Sequence, residues 1–210
     1  MIPSRSASLN SVPVPVTVKH RIGVDDRDRY EDLLAFVDRV AAAGCDRFTV
    51  HARKAWLSGL SPKQNRTIPP LRYDDVYRLK AERPGLAVEL NGGVESLDAA
   101  AACLERVDAV MIGRGVLADP YLLAQADRRL FGQPQEPAPT REEVARRLLP
   151  YVAAWRGRGV RLGVLVRGWL NLFAGVPGAR AWRRALSEGT QRADAGVEVL
   201  EAALDALRAR

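Results

Sequence analysis

The chain has 210 residues, of which 47% are hydrophobic, and a formal net charge of +7. This length suits one large domain or a medium domain with an appendage, and the apolar fraction suffices for a buried core. No apolar run reaches about 18 residues, which predicts that no segment spans a membrane. The two cysteines, Cys45 and Cys103, do not make a disulfide framework or a metal cluster, so a reducing cytoplasm is the expected location.

The positive charge is concentrated in the last third of the chain. From Thr140 to the C-terminus there are 13 arginines and 7 acidic residues, a balance of +6, whereas residues 1–139 hold 19 basic and 18 acidic residues, a balance of +1. Such asymmetry favours nucleic acid or another polyanion as a partner. Composition alone is explained equally well by solvated, arginine-rich helices.

The first predicted strand ends in charged side chains. Alternating valines at 14, 16 and 18 have the period of a strand, and Lys19, His20 and Arg21 follow them. Since the carboxyl ends of parallel strands build the ligand sites of α/β proteins, Lys19 is either a solvated strand end or an anchor for an anion. The serine-rich residues 1–11 lack an apolar core, which indicates a disordered segment instead of a signal peptide.

Helices and strands then alternate along the chain. Periodicity predicts helices over Asp28–Ala43, Tyr73–Glu82 and from Ser96 to Leu104, and strands over Cys45–His51, Leu86–Leu90 and Val107–Ile112. This order predicts a parallel sheet with right-handed crossovers. The polar loop Ala52–Pro70 is longer than a structural connection needs, which favours a functional role.

The last part of the chain is predicted to be helical. Residues 133–139 are rich in proline and form a predicted linker, after which Thr140 and Glu143 make a capping box. One helix is expected to run from there to Trp155, a second over Val164–Phe173, a third from about Arg180, and a last one through Leu207. We therefore predict a small helical bundle with a basic exterior.

Two glycine-containing loops follow consecutive strands, Asn91-Gly92-Gly93 and Gly113-Arg114-Gly115. Glycine lets backbone N–H groups approach an anion closely, and the next helix adds a favourable dipole. A single loop of this kind is more simply explained as a tight turn. Two successive loops, with the bidentate guanidinium of Arg114, favour phosphate binding.

The histidines and cysteines receive different interpretations. His51 precedes Arg53 and Lys54 and is interpreted as a hydrogen-bond donor to a bound anion or cofactor ring. Strand alternation places His20 on the face opposite Lys19, where a structural role is expected. Cys45 and Cys103 are interpreted as buried apolar residues, and no hydrolase, Walker or zinc motif is present.

Three segments carry a resemblance to a known family. The sequences Pro15–Asp26, Ala43–Lys63 and Asn91–Gly93 closely resemble bacterial tRNA-dihydrouridine synthases, and the segment after His51 resembles the A subfamily, which acts on D-loop uridines 20 and 20a. The likeness continues through Gly178–Arg184. It implies a TIM-barrel flavoenzyme with a helical tRNA-binding domain, in which NADPH reduces FMN and FMN passes hydride to the target uridine.

The resemblance also implies site residues. Those that would contact FMN are Lys19, His51, Asn91, Gly92, Gly93, Gly113 and Arg114. Those that would face tRNA are Lys63, Gln64, Arg66, Thr67, Arg180 and Arg183. The implied domains are residues 12–132, holding the last four βα units of a barrel, and residues 140–210, forming the helical tRNA-binding domain.

The chain departs from the family pattern at its beginning. Family members have four more βα units before the first strand, and these include the loop with the cysteine acid, so no catalytic residue is expected in this chain. We expect the chain to be truncated, to bind FMN weakly, to lack synthase activity alone, and to self-associate through open, apolar sheet edges. The alternatives are another FMN-dependent barrel dehydrogenase, of the dihydroorotate or dihydropyrimidine type, and a non-catalytic tRNA-binding remnant.

Overall fold

A computed structural model describes residues 14–132 and 137–208 of the chain. The chain divides into two compact units, Met1–Gly113 and Arg114–Arg210. The first unit is an α/β structure, and the described residues of the second contain helices without strands. The predicted segment 1–11 and most of the predicted linker lie outside the described residues, so these boundaries stay predictions.

A four-stranded parallel sheet organises the first unit. Its strands are β1 (Val18–Arg21), β2 (Arg47–His51), β3 (Ala87–Asn91) and β4 (Ala109–Met111), and they lie side by side in chain order. All three pairings are parallel, with Arg21 opposite His51, His51 opposite Asn91, and Asn91 opposite Met111. The predicted α/β class and parallel sheet are therefore confirmed.

Three helices follow the first three strands and cover one face of the sheet. They are α1 (Tyr30–Ala42), α2 (Tyr73–Glu82) and α3 (Leu97–Leu104). Each presents an apolar stripe at three- and four-residue spacing to the core. In α1 the stripe is Tyr30, Leu33 and Val37, all buried, and acidic residues occupy its first turn where the helix dipole favours them. The side chains that the sheet contributes to this core are fully buried: Phe48, Val50, Val88 and Leu90.

The first strand is shorter than the sequence predicts. It was expected from Val14 but begins at Val18, and the Val14 side chain is 62% exposed. Pro15 has no N–H to give to a ladder, which limits strand pairing at this end. Within β1, Lys19 is exposed between the partly buried Val18 and His20, as expected for side chains that alternate between the two faces of a strand.

The second unit contains short helices in sequence order. They are α4 (Arg114–Ala118), α5 (Ala126–Phe131), α6 (Arg141–Arg147), α7 (Leu149–Gly157), α8 (Leu162–Leu165), α9 (Ala179–Gly189) and α10 (Val197–Arg208), with 3₁₀ turns over Pro120–Gln125 and Val166–Gly168. Their core is centred on Trp182, whose side chain is fully buried.

Two helix predictions for this unit are wrong in their extent. The helix expected from Thr140 to Trp155 ends at Arg147 and restarts at Leu149, because Pro150 lacks an N–H and belongs in a first turn. The helix expected over Val164–Phe173 is a single turn followed by a 3₁₀ turn that ends at Gly168, a poor helix former. The capping box of Thr140 and Glu143 is present as predicted.

Candidate functional site

Polar side chains of three strands share the sheet face that α1–α3 do not cover. The parallel register puts Lys19, Thr49 and Glu89 in one row and Arg21, His51 and Asn91 in the next, two residues further along each strand. Because side chains two apart on a strand point to the same face, both rows lie on one side of the sheet. Lys19 Nζ donates to Asn91 Oδ1 at 2.9 Å, and Asn91 Nδ2 donates to the carbonyl of Met111 at 2.8 Å. The sheet therefore joins Lys19, His51 and Asn91 at one edge, as the sequence predicted.

The environment of Lys19 is cationic. Partial burial lowers the pKa of the Lys19 ammonium, the nearby charge of Arg21 lowers it further, and only Glu89 opposes this. Burial also lowers the pKa of the Arg21 guanidinium, with further contributions from Arg53 and Arg66. Because like charges this close repel one another, a bound anion would lower the electrostatic free energy of the folded state.

The glycine turn after β3 packs directly against His51. Gly92 has φ +113°, and a Cβ built there would stand 2.8 Å from Cδ2 of the His51 ring. The Tyr73 hydroxyl donates to the carbonyl of Gly92 at 2.5 Å and fixes the turn. At Gly93, φ is +71° and a Cβ would stand 2.5 Å from the Leu71 side chain. Both positions thus favour glycine by backbone conformation, and at Gly92 the His51 ring also leaves little space for a side chain.

The glycine after β4 is of another kind. Gly113 does not have a positive φ, and a Cβ built there would meet no heavy atom within 4 Å. There is free space beside its backbone, but its backbone conformation is one that residues other than glycine can adopt. Arg114 is the first residue of the second unit, so its placement beside the sheet stays a prediction.

Comparison with known proteins identifies the family. A model of the dihydrouridine synthase family matches residues 6–208. The chain belongs to this family. Its relatives named tRNA-dihydrouridine(20/20a) synthase include that of Synechocystis, which is 54% identical over 96% of this chain and 60% of its own length. Those of Shewanella oneidensis and Escherichia coli K12 are 49% and 50% identical, over 94% and 92% of this chain and 58% and 56% of their own lengths.

The chain thus spans about three-fifths of the length of these curated relatives. Among solved structures, a mandelate oxidase covers 85% of this chain and 53% of its own, with 16% identity and a TM-score of 0.32. That score is too low to support a conclusion about fold or function.

A loop of the dihydrouridine synthase chain is tied to the end of β1. Arg21 Nη1 donates to the carbonyls of Lys54 and Asn65 at 2.8 and 2.9 Å. The Asn65 side chain accepts from the Trp56 amide at 2.8 Å and donates to the Trp56 carbonyl at 2.6 Å. Four hydrogen bonds from two side chains therefore hold the segment after His51 in a defined shape.

This loop presents most of the residues predicted to face tRNA. Lys63, Gln64, Arg66 and Thr67 lie on or beside a 3₁₀ turn over Gln64–Arg66, and all four are exposed. The Gln64 side-chain oxygen accepts from the Ser61 amide at 2.9 Å, which leaves its NH₂ group for another partner. The Thr67 hydroxyl donates to the Gln64 carbonyl at 3.2 Å.

The other predicted tRNA residues lie on α9. Arg180 and Arg183 are exposed and three residues apart, so they share one face of the helix, while Trp182 and Leu186 are buried on the other. Neither arginine forms an ion pair with a carboxylate of the described residues. By contrast, Arg192 is paired with Asp194 and Glu198 at 3.2 Å each.

The remaining candidates lie away from the polar sheet face. The His20 ring packs between Phe36 and Phe48, with centroid distances of 4.8 and 6.0 Å, and burial lowers its pKa. Cys45 and Cys103 are buried, at 2% and 5% exposure. Within residues 14–132 and 137–208, no cluster of His, Cys, Asp or Glu could hold a metal ion, and no helix is long and apolar enough to cross a bilayer.

Sequence reasoning missed four residues that shape this site, Arg21, Asn65, Tyr73 and Glu89. Strand alternation could have assigned Arg21, because it stands two residues after Lys19 and must share its face. Glu89, which accepts a hydrogen bond from the Thr49 hydroxyl, could have been found in the same way. Asn65 and Tyr73 contact partners that are distant in sequence or lie in a loop, and no local pattern indicates them.

Proposed function

We propose that this chain is part of a cytoplasmic tRNA-dihydrouridine synthase, which reduces uridine to 5,6-dihydrouridine at positions 20 and 20a of the tRNA D-loop. Family membership supports the reaction class. The hydrogen bond between Lys19 and Asn91 at the carboxyl edge of the sheet is the observation that carries the assignment to a flavin site. NADPH is the proposed reductant.

The proposed cofactor is FMN, which when bound supplies the hydride for C6 of the uridine. The residues of the first unit fit its phosphate and ring. Lys19 supplies an exposed cation at the carboxyl end of β1, and Gly92 and Gly93 expose backbone in conformations that other residues rarely adopt. Gly113 leaves open space at the end of β4. Asn91 and His51 orient polar groups toward the same edge, and Arg114 completes the proposed set.

These residues would hold the cofactor through charge and shape. Asn91 fixes the Lys19 ammonium by accepting its hydrogen bond, which reduces the entropy lost when an anion binds. The His51 ring occupies the space that a side chain at position 92 would need, and it can donate to a ring oxygen or a phosphate oxygen. The neighbouring positive charges of Arg21 and Arg53 favour the ionised phosphate.

The proposed protonation of uridine C5 does not use a cysteine of this chain. Cys45 lies at the amino end of β2, opposite the candidate site, and its Sγ donates to the Arg47 carbonyl at 3.3 Å. Cys103 is a buried residue of α3 and accepts from the Tyr77 hydroxyl at 3.4 Å. We accordingly propose that the acid is a cysteine of the family region that this chain does not cover, and that the chain alone is inactive.

The proposed tRNA contacts are Lys63, Gln64, Arg66 and Thr67 in the loop, and Arg180 and Arg183 on α9. Planar guanidiniums suit both phosphates and stacked bases. The lack of ion-pair partners for Arg180 and Arg183 among the described residues supports this role, since their charges are available to phosphate.

We also propose that the sheet is part of a TIM barrel and that the chain self-associates through its edges. The outer strands of the described sheet are β1 and β4. Ile22 donates to the His51 carbonyl, and Asp108 donates to the Val88 carbonyl. Alternation therefore directs the backbone groups of Lys19 and Ala109 outward, where a parallel strand can pair with them. The carbonyls of Arg21 and Met111 are already bonded by the side chains of His20 and Asn91.

The test is to titrate the purified chain with FMN and with tRNA and to measure the two affinities separately. Weak but saturable binding of FMN together with salt-dependent tRNA binding is the expected result. Binding of tRNA without flavin would favour the second candidate, a non-catalytic tRNA-binding remnant, which the arginine-rich helical unit supports. Flavin retention without tRNA binding would favour another FMN-dependent dehydrogenase.

A further inference from the structure

One side of α7 carries aromatic rings that do not join the core of the helical unit. Val152 faces that core and is fully buried, whereas the neighbouring Tyr151 is 45% exposed. Trp155, one helical turn beyond Tyr151, is half-buried. Of the described residues, Leu148, Leu149 and Trp169 pack against the core, but Tyr151 and Trp155 are not in that set. Packing in this core therefore does not account for the exposed Tyr151 ring or for the uncovered part of the Trp155 ring.

The rings form a cluster with a guanidinium. Tyr151 lies 6.0 Å from Trp155 and 5.9 Å from Trp169 between ring centroids, the latter edge-to-face at 72°. The guanidinium carbon of Arg158 stands 4.9 Å from the centroid of the Trp155 ring. We call Tyr151, Trp155, Arg158 and Trp169 the α7 surface. It presents a phenol ring, two indole rings and a guanidinium plane close to one another.

The charge on this surface is uncompensated. Arg158 is exposed and forms no ion pair with any carboxylate in the described part of the chain. Arg146 and Arg208, in contrast, are both paired with Glu142. An aromatic cluster beside the available guanidinium of Arg158 is complementary to a polyanion that has flat rings.

We propose that the α7 surface binds unpaired bases of an RNA strand by stacking, with Arg158 contributing both its plane and its charge. This inference rests on the proposed function only for the identity of the RNA as tRNA. Bases stack on aromatic rings and guanidinium planes when they are splayed out of a helix, and every base has a suitable face. A paired duplex hides those faces and would contact the arginines alone. The α7 surface is thus distinct from the phosphate-binding role proposed for Arg180 and Arg183.

The test uses the whole chain and a short fluorescein-labelled oligouridylate, either alone or annealed to oligoadenylate, with binding followed by anisotropy over a range of salt concentrations. Tyr151→Leu and Trp155→Leu keep apolar volume and remove the rings. Each is expected to weaken binding of the single strand by roughly five- to a hundredfold, with the salt slope unchanged and duplex binding unaffected. Phe131→Leu is the matched control, since Phe131 is 70% exposed in the same unit and lies outside the α7 surface.

A second variant separates stacking from charge. Arg158→Lys keeps the charge and loses the plane, so single-strand affinity should fall while the salt slope stays the same. Arg158→Gln should also reduce the slope by about 0.7, the value for one phosphate contact on a single strand. Circular dichroism checks that each variant is folded. If a leucine variant does not fold, the Arg158 variants, which change an exposed residue at the end of α7, test the stacking proposal.

The outcomes distinguish this inference from the proposed function. One outcome is that the wild-type chain binds tRNA, while both leucine variants and Arg158→Lys bind oligouridylate with the same affinity as the wild type. In that case the α7 surface is not a stacking site, and the proposed function stands. If the wild-type chain binds no RNA at all, both are overturned. Equal loss of single-strand and duplex binding in the leucine variants also contradicts stacking.

Discussion

Lys19 reaches across β2 and donates from Nζ to Oδ1 of Asn91 at 2.9 Å, although 72 residues separate them in the sequence. Only the parallel register of the sheet brings the two side chains together. In the proposed site this hydrogen bond holds an ammonium in position for a phosphate.

Replacement of Lys19 tests the flavin site. We expect Lys19→Ala to weaken FMN binding about tenfold or more, because a charged hydrogen bond to phosphate contributes about 1.5–3 kcal/mol. Flavin retained after dialysis measures the effect. Lys63→Ala removes the same charge from the exposed loop and should retain flavin like the wild type. Equal flavin content in Lys19→Ala and the wild type would remove Lys19 from the site.

Replacement of Gly92 tests the contact between the glycine turn and His51. Gly92→Ala should destabilise the fold by about 1–2 kcal/mol from the positive φ and by a further ~1–3 kcal/mol from crowding against the His51 ring. Gly44→Ala is the matched control, since Gly44 has φ +101° and nothing within 4 Å of the built Cβ. Urea unfolding measures both variants. If they lose the same stability, the contact with His51 has no energetic weight.

The buried His20 predicts a dependence of stability on pH. Burial lowers the pKa of His20 below its ordinary 6.5, so the folded state binds fewer protons than the unfolded state as pH falls past that value. Stability should therefore be full above pH 6.5 and decline below it, by at most about 1.4 kcal/mol per pH unit. His20→Phe should abolish the part of the decline in urea midpoints that lies between pH 6.5 and about 5, above the range in which carboxyls with lowered pKa, such as Asp28 and Asp38, lose their contribution. His51→Gln, a change at the other histidine, should leave the decline in this window in place. A decline that persists in this window in His20→Phe refutes the assignment.

The outward backbone of β4 predicts how the chain self-associates. Ala109→Pro removes an N–H that points away from β3, so the observed sheet keeps its hydrogen bonds while the outer edge loses a donor. Sedimentation velocity should show less self-association for this variant than for the wild type. Ala109→Ser keeps the N–H and should behave like the wild type. A wild-type chain that sediments as a monomer of 23.0 kDa contradicts the proposal.

An arginine of α9 tests the tRNA contacts. Arg183→Ala should weaken tRNA binding and reduce the salt slope by about 0.7–0.9, as expected for one lost phosphate contact. Arg192→Ala serves as the control, because Arg192 is already paired with Asp194 and Glu198. Flavin retention should be the same in both variants. A loss of flavin in Arg183→Ala would place this arginine in a different role.

Local pattern was sufficient for the elements with strong periodicity. Three of the four strands, the helices after them and the capping box at Thr140 follow from residues within one or two turns of each other. Local pattern predicted the wrong extent where packing with distant residues sets the ends of an element. Val14 lies outside β1, and the helix predicted over Val164–Phe173 is interrupted by a 3₁₀ turn that ends at Gly168. The same holds for the candidate site. Strand alternation predicts on which face of the sheet Lys19 and His20 lie, but no local pattern predicts the hydrogen bonds of Asn65.

The sequence by itself determined the family, the parallel order of strands and helices, and the residue types at each strand end. These depend on contiguous motifs and on the periods of strand and helix. Only the tertiary structure decided that Arg21 ties down the loop after His51, that Gly92 is crowded by the His51 ring, and that the rings of α7 stand outside the core. Those relationships join residues far apart in the chain, and they arise from register and packing, which no local pattern encodes.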